Sequence, residues 1–238
     1  MIIKKITITN WLGSKQVGRK LSQRLKWTTV ELYSATEDIR TNFKDSDYDN
    51  IVKHAEEIGQ YPIYYVDSPG TVEEIRNTIR EFYKTIPRTT WLIVMLDHTL
   101  LTKGRVGDKE RETLFELQRM FMEVKKWRKT TIIQLSQMNR EIEDKERLIN
   151  PALHFPVRRD IFGGDSVFQA SDYVIVLHRP EILGIPENGY GPNGWSVKNL
   201  VYMHFLKVRE GDPKILVFEN HLKHNTLEEA NILNIINK

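Results

Sequence analysis

Two short apolar runs in this sequence each end in polar groups of a kind that ligands need. Trp91-Leu92-Ile93-Val94-Met95-Leu96 runs into Asp97, and Thr131-Ile132-Ile133-Gln134-Leu135-Ser136 runs into the cluster Gln137-Met138-Asn139-Arg140. A six-residue apolar run without helical periodicity reads as a strand buried on both faces of a parallel sheet. An aspartate at the carboxyl end of such a strand lies where open α/β sheets place their ligands. Taken alone, Asp97 reads equally well as a strand-terminating turn residue. A second strand delivering polar groups to the same edge favours a site over two coincidental turns.

The elements that must position these groups follow in a regular order. Ile2 to Thr9 alternates apolar and polar residues as a strand does, and Val17, Leu21 and Leu25 have the spacing of a basic amphipathic helix over Ser14 to Lys26. A second helix opens at Ser46, with Tyr48, Ile51, Val52, Ala55 and Ile58 on one face and Gly59 at its end. Tyr61 to Val66 is a strand closed by Asp67-Ser68-Pro69-Gly70. Thr71 with Glu74 forms a capping box for a helix whose inward stripe is Val72, Ile75, Ile79 and Phe82. After the strand ending at Asp97 comes a polar loop from Thr99 to Asp108, then a long helix with Leu114, Leu117, Phe121 and Val124 inward. Further strands are expected at 131–136, 173–177, 200–206 and 214–218, the last two joined as an antiparallel hairpin around Arg209 to Pro213. The insert 185–197 reads as a surface loop, and Leu227 to Ile236 as a short amphipathic helix. Strands alternating with helices of this length mean an α/β fold with right-handed crossovers and a largely parallel sheet covered on both faces.

Composition sets outer bounds. The 238 residues suffice for one domain with a sizeable core, read as 1–222 with a helical tail over 223–238. The 35 basic and 32 acidic side chains nearly cancel, so phosphate binding must come from local clusters. There is no cysteine, which removes disulfides and thiolate metal sites and suits a reducing cytoplasm. The seven histidines show no ligand spacing. No leader pattern opens the sequence and no apolar run approaches the ~20 residues of a spanning helix. The expectation is a soluble cytoplasmic protein with no membrane partner.

With the strands placed, several fragments fall into one known order. They are Tyr64-Tyr65-Val66-Asp67-Ser68-Pro69-Gly70, Leu92 to Asp97, Leu135-Ser136-Gln137-Met138-Asn139-Arg140, Gln169-Ala170-Ser171-Asp172 and Lys207-Val208-Arg209-Glu210-Gly211. In that order and spacing the chain resembles the C-terminal ATPase domain of DnaB-like replicative helicases, most of all bacteriophage versions, from about Gln16 to Asn220. The resemblance implies a three-layer RecA-like fold with a mostly parallel sheet and an antiparallel edge hairpin. It also implies ATP and Mg²⁺ as cofactors, hexameric rings, 5′ to 3′ movement on single-stranded DNA, and primase or a helicase loader as further partners. If the chain is phage-encoded, its compartment is the bacterial host cytoplasm.

Carried over by position, Asp97 matches the Walker B aspartate, which holds the Mg²⁺ bridging the β- and γ-phosphates. Gln137 matches the polar residue that senses the γ-phosphate, a task for an uncharged group that both donates and accepts. Lys207 and Arg209 match the basic pair that reaches a neighbouring subunit's nucleotide. The resemblance gives Arg209 the part of an arginine finger, worth roughly 10³–10⁵ in rate in known systems. Arg158-Arg159-Asp160-Ile161-Phe162-Gly163-Gly164-Asp165 occupies the loop that tracks single-stranded DNA in the family. Its glycines admit backbone N–H groups to phosphates, and Arg158 and Arg159 add charge. The family's usual charged residues are replaced here by Phe162 and Gly163.

One part is missing. A phosphate loop needs G-x-x-x-x-G-K-[ST], and no such string occurs in the sequence. The nearest stretch, Gly13 to Lys20, has Arg19 in the place of the lysine and Lys20 in the place of the Mg²⁺-binding hydroxyl. Either it is a degenerate phosphate loop, or Gln16 to Leu25 is the helix after the family's second strand. The spacing to Asp67 fits the second register better, and there the catalytic glutamate falls near Asn10 or Trp11, neither able to polarise water. The resemblance then implies an N-terminally truncated ATPase domain whose phosphate loop a partner chain supplies. The alternative is a non-catalytic module that binds DNA or joins a helicase ring.

Overall fold

The structure, a computed structural model, describes residues 3–9, 13–26, 44–67 and 70–231. Its strands are β1 (Ile3–Thr9), β2 (Ile63–Val66), β3 (Trp91–Asp97), β4 (Thr130–Gln134), β5 (Tyr173–His178), β6 (Leu200–Val208), β7 (Lys214–His221) and β8 (Thr226–Glu229). The α-helices are α1 (Gly13–Leu25), α2 (Asp45–Gly59), α3 (Val72–Lys84), α4 (Glu110–Trp127), α5 (Lys145–Ile149) and α6 (Gly164–Ala170). Short 3₁₀ turns join several of them.

The chain forms two compact units. The first comprises Met1–Thr113, Met120–Leu135 and His221–Thr226, and the second Leu114–Arg119, Ser136–Asn220 and Leu227–Lys238. In the first, four parallel strands run in the order β2-β1-β3-β4, with Thr9 opposite Asp97 at the carboxyl edge. Parallel neighbours need long crossovers, and among the described residues α1 and α2, then α3, then α4 lie in those connections. The capping box forms as the sequence predicts: the Glu74 amide donates to the Thr71 hydroxyl (3.3 Å), and the Thr71 amide donates to the Glu74 carboxylate (2.7 Å). Val72, Ile75 and Ile79 of α3 are buried with Tyr83, whereas Phe82 instead meets the Tyr64 ring edge-on at 4.9 Å.

Two expectations change here. β3 is not sealed on both faces: Leu92, Val94 and Leu96 are buried, whereas Trp91, Ile93 and Met95 are half-buried. On that second face the Trp91 indole N–H donates to the Thr131 hydroxyl, 2.9 Å away, so a polar cross-strand link stands in the apolar run. In α2 only Ile58 is buried, and Tyr48 and Val52 of the expected apolar face are exposed. Arg24 of α1 pairs with Glu57 of α2.

In the second unit the sheet is antiparallel, in the order β5-β6-β7-β8. The expected hairpin is there as β6 and β7, with Tyr202 opposite Val217, but it is the middle of four strands. The tail expected to be helical contributes β8 instead, and Ala230 donates its amide to the Val217 carbonyl at 2.9 Å. Leu227 and Ala230 have a spacing that suits a helix, but backbone hydrogen bonding on the β7 side decided the matter. Residues 232–236 of that expected helix lie outside the described residues.

The 185–197 insert is only partly surface: 186–188 and 192–194 are exposed, but the rest contributes to the core. Tyr190 and Trp195 exchange both backbone hydrogen bonds (3.1 and 2.9 Å), folding the insert so that Ile185, Tyr190 and Val197 are buried with Leu200, Tyr202 and Val217. Trp195 stacks on Tyr202 with ring centroids 5.8 Å apart.

Candidate functional site

Asp97 is the last residue of β3, half-exposed at the carboxyl edge of the parallel sheet, and the Asp97–His98 peptide is cis. The chain beyond it is fastened to the strand-end of β4. The Leu135 amide donates to the Leu96 carbonyl and the Thr99 amide to the Leu135 carbonyl, each at 2.9 Å. Among the described residues no three His, Asp or Glu side chains gather into a metal cage. A solitary carboxylate fits Mg²⁺ better than most ions, because Mg²⁺ keeps several waters and is commonly held by one or two carboxylates plus substrate phosphates.

Gln137 and the Arg158–Asp165 loop belong to the second unit, and the backbone joins them. Met138 and Ile161 form an antiparallel bridge, the Phe162 amide donates to the Gln137 carbonyl (3.1 Å), and the Asn139 amide donates to the Asp160 carbonyl (2.6 Å). The Asn139 side-chain amide adds a bond to the Arg159 carbonyl at 2.8 Å. The Gln137 side chain is exposed above this junction.

Beneath it lies an ion pair that sequence reasoning missed. Arg147 of α5 meets Asp160 in a two-point contact of 2.5 and 3.0 Å, with both side chains buried. Two more of the guanidinium's donors go to the Leu153 carbonyl (3.1 Å) and the Phe155 carbonyl (3.0 Å), and Asp160 also accepts from the Val157 amide (2.7 Å). A planar fork with four of its five donors engaged, two of them on one carboxylate, is an arrangement in which a charge pair tolerates burial. In sequence, Arg147 stands in the charged run Lys145-Glu146-Arg147, which carries no sign of burial.

The loop over this anchor presents Arg158 and Arg159 to solvent. Arg158 pairs with Asp165 (2.7 Å), and its guanidinium lies 4.8 Å from the centre of the Phe168 ring. Gly163 precedes α6 with φ of 78°, and an added Cβ there would come within 2.9 Å of the Leu114 side chain. The turn therefore needs glycine for its own packing. Gly164 follows as the first residue of α6.

Lys207 and Arg209 stand near the end of β6, and both are engaged within the chain. The Lys207 ammonium donates to the carbonyls of Phe168 (2.7 Å) and Gln169 (3.2 Å) at the end of α6, and it lies 5.3 Å from the Phe168 ring centre. Arg209 pairs with Asp172 (2.7 Å), and its amide donates to the Asp172 carbonyl (3.0 Å). The Arg209 side chain remains more than half exposed, whereas Lys207 is half-buried.

Gly13 to Leu25 is helical throughout, so the stretch nearest to a phosphate-loop string does not form a loop, as the second register expects. Asn10 and Trp11, the positions matched to the catalytic glutamate, lie outside the described residues.

A second polar network crosses the core of the antiparallel unit. The Tyr190 hydroxyl stands 2.7 Å from His178 Nδ1 and 2.7 Å from His204 Nε2. Burial lowers the pKa of His178 to about 4 and that of His204 to about 3, with nearby Arg147 and His154 adding to the first and His178 to the second. Burial also pushes the Tyr190 hydroxyl above its ordinary range.

Comparison with known proteins places this geometry. The family model for the DnaB-like helicase C-terminal domain matches residues 14–224. The replicative DNA helicase DnaB of Mycobacterium leprae (strain TN) is 29% identical over 173 residues, covering 71% of this chain and 26% of that protein. The Mycobacterium intracellulare protein of the same name is 27% identical over 173 residues, again covering 71% of this chain and 27% of the relative. The chain thus spans about a quarter of the length of these relatives. Among solved structures, one of an isolated ATPase domain superposes with a TM-score of 0.77 at 18% identity, covering 96% of this chain and 75% of that one. A DnaB-like replicative helicase, solved with attention to its interactions with primase, gives a TM-score of 0.78 at 17% identity over 97% of this chain and 51% of that one. The fold is RecA-like, and the chain belongs to the DnaB-like helicase C-terminal domain family.

Proposed function

We propose that this chain is part of the motor of a replicative helicase, which couples ATP hydrolysis to 5′ to 3′ movement on single-stranded DNA. The observation that carries the reading is Asp97, a carboxylate at the open end of β3 in the parallel sheet. There it would hold Mg²⁺, which when bound supplies charge neutralisation at the β- and γ-phosphates. Gln137 would report the γ-phosphate to the Arg158–Asp165 loop, to which the Phe162–Gln137 backbone bond ties it. Arg158 and Arg159 would meet DNA phosphates. Lys207 and Arg209 would serve the nucleotide of a neighbouring subunit in a hexameric ring, for which each must first leave its partner within the chain. Primase is the ring partner that the solved relative suggests.

The 238 residues hold no phosphate-loop string, so the reading expects that element from outside them. The second reading, a module that binds DNA or a helicase ring without turnover, draws on Gly13–Leu25 being a helix and not a phosphate loop. Titration with a fluorescent ATP analogue separates the two. The motor reading expects Mg²⁺-dependent binding when the chain is co-expressed with a phosphate-loop partner, reduced at least about tenfold by Asp97→Asn. Binding of DNA that ignores ATP, Mg²⁺ and Asp97→Asn under those conditions leaves only the module.

A further inference from the structure

Three of the basic side chains read as phosphate ligands are held by one short stretch. Asp165 pairs with Arg158 and Asp172 with Arg209, while the carbonyls of Phe168 and Gln169 accept from Lys207. At the centre of this stretch the Phe168 ring has two cations on it, the Arg158 guanidinium at 4.8 Å and the Lys207 ammonium at 5.3 Å. The ring itself packs against Ile161, Val167 and Val174, so it is fixed by the core and cannot follow either cation. Its electron-rich face attracts both groups, and the two like charges repel each other.

We propose that Phe168 is a positioning residue, a shared cation platform that makes the hold on Lys207 depend on where Arg158 is. The inference rests on the reading above, in which Arg158 meets DNA phosphates. When Arg158 leaves the ring for a phosphate, Lys207 loses a like-charged neighbour and settles more firmly on Phe168 and the carbonyls at the end of α6. Reciprocity requires the converse: a Lys207 drawn away by another anion leaves Arg158 tighter on the ring and slower to take DNA. The basic loop and the basic strand end are then coupled through one aromatic side chain, with no rearrangement of the fold.

Competitive acetylation of the intact chain by limiting reagent, with Lys207 quantified by mass spectrometry against the exposed Lys84, reads the hold directly. Arg158→Ala should slow Lys207 by about threefold, the scale of one exposed cation–π contact. A single-stranded oligo-dT should slow it similarly in the unmodified chain. Phe168→Leu should make Lys207 more reactive and abolish its response to Arg158→Ala. Because Arg158 is exposed, the first variant tests the coupling without disturbing the core. Unchanged Lys207 reactivity in Arg158→Ala, or a response that survives Phe168→Leu, overturns the proposal. If Arg158→Ala slows Lys207 and oligo-dT does not, the platform stands and the DNA reading of the loop fails.

Discussion

Both units carry ion pairs toward solvent, but they differ in the charge they bury. In the parallel unit the ion pairs lie toward solvent, as Arg24 with Glu57, Arg76 with Glu123 (3.1 Å) and Lys84 with Glu81 (2.7 Å). Its buried residues include Leu92, Val94 and Leu96 of β3, helical side chains such as Ile75, Ile79 and Val124, and hydroxyls such as Ser22 and Thr90. The antiparallel unit buries the Arg147–Asp160 pair and a His178–Tyr190–His204 chain. Surface pairs contribute little and can be lost cheaply, whereas a buried pair becomes a liability once one partner is removed. The first unit should therefore tolerate charge changes that the second does not.

The largest break in that symmetry is at Asp160. Asp160→Ala leaves the Arg147 guanidinium buried and unpaired, and should cost about 3–5 kcal/mol in urea unfolding. Hydrogen exchange should place the damage in β5 to β8 and spare β1 and β3. Equal loss of protection in both units would mean that they unfold together and that the contrast is one of composition only.

A smaller effect comes from acid. His178 and His204 are neutral in the fold, with pKa values lowered from 6.5 to about 4 and about 3. The unfolded chain therefore binds protons that the folded one refuses. Their contribution is fully present above pH 6.5 and falls as the pH drops from there toward 4. Each imidazole should lose roughly 2 kcal/mol between pH 6.5 and pH 5. Exchange at pH 7 and pH 5 should show β5 to β8 losing protection before β1 to β4. A flat response in the second unit would mean that the imidazoles are solvated.

The smallest expected effect sharpens the contrast from the other side. Thr71→Ala removes the side-chain half of the α3 capping box and should cost about 1 kcal/mol, all of it in the first unit. A change in β5–β8 exchange would show the units to be coupled.

Much of the first unit was readable from the sequence, because its signals are local. The apolar run at Trp91 to Leu96, the Thr71–Glu74 cap and the helix over Gly13–Leu25 each declare themselves within a few residues. The second unit was less legible, because its determinants are partnerships across the chain. Nothing near Arg147 announces Asp160, and the Gly- and Asn-rich insert around Tyr190 looks like a loop until Tyr202 and Trp195 enclose it. The candidate site divides along the same line. Asp97 was proposed from its place at a strand end and the Arg158–Asp165 loop from the family resemblance, whereas the holding of Lys207 by α6 depends on a ring 39 residues away in sequence.

The outer strands of the antiparallel sheet carry one more consequence. β8 is short and ends in the exposed acidic pair Glu228-Glu229, a pattern that discourages another strand from adding on. β5, at the opposite edge, turns Tyr173, Ile175 and Leu177 outward, at 60%, 47% and 58% exposure, and carries no acidic or lysine residue. A chain with a mean hydropathy of −0.46 would be expected to stay dissolved at high concentration. An apolar outer edge of this kind favours strand addition, so a charge placed on β5 is expected to raise solubility.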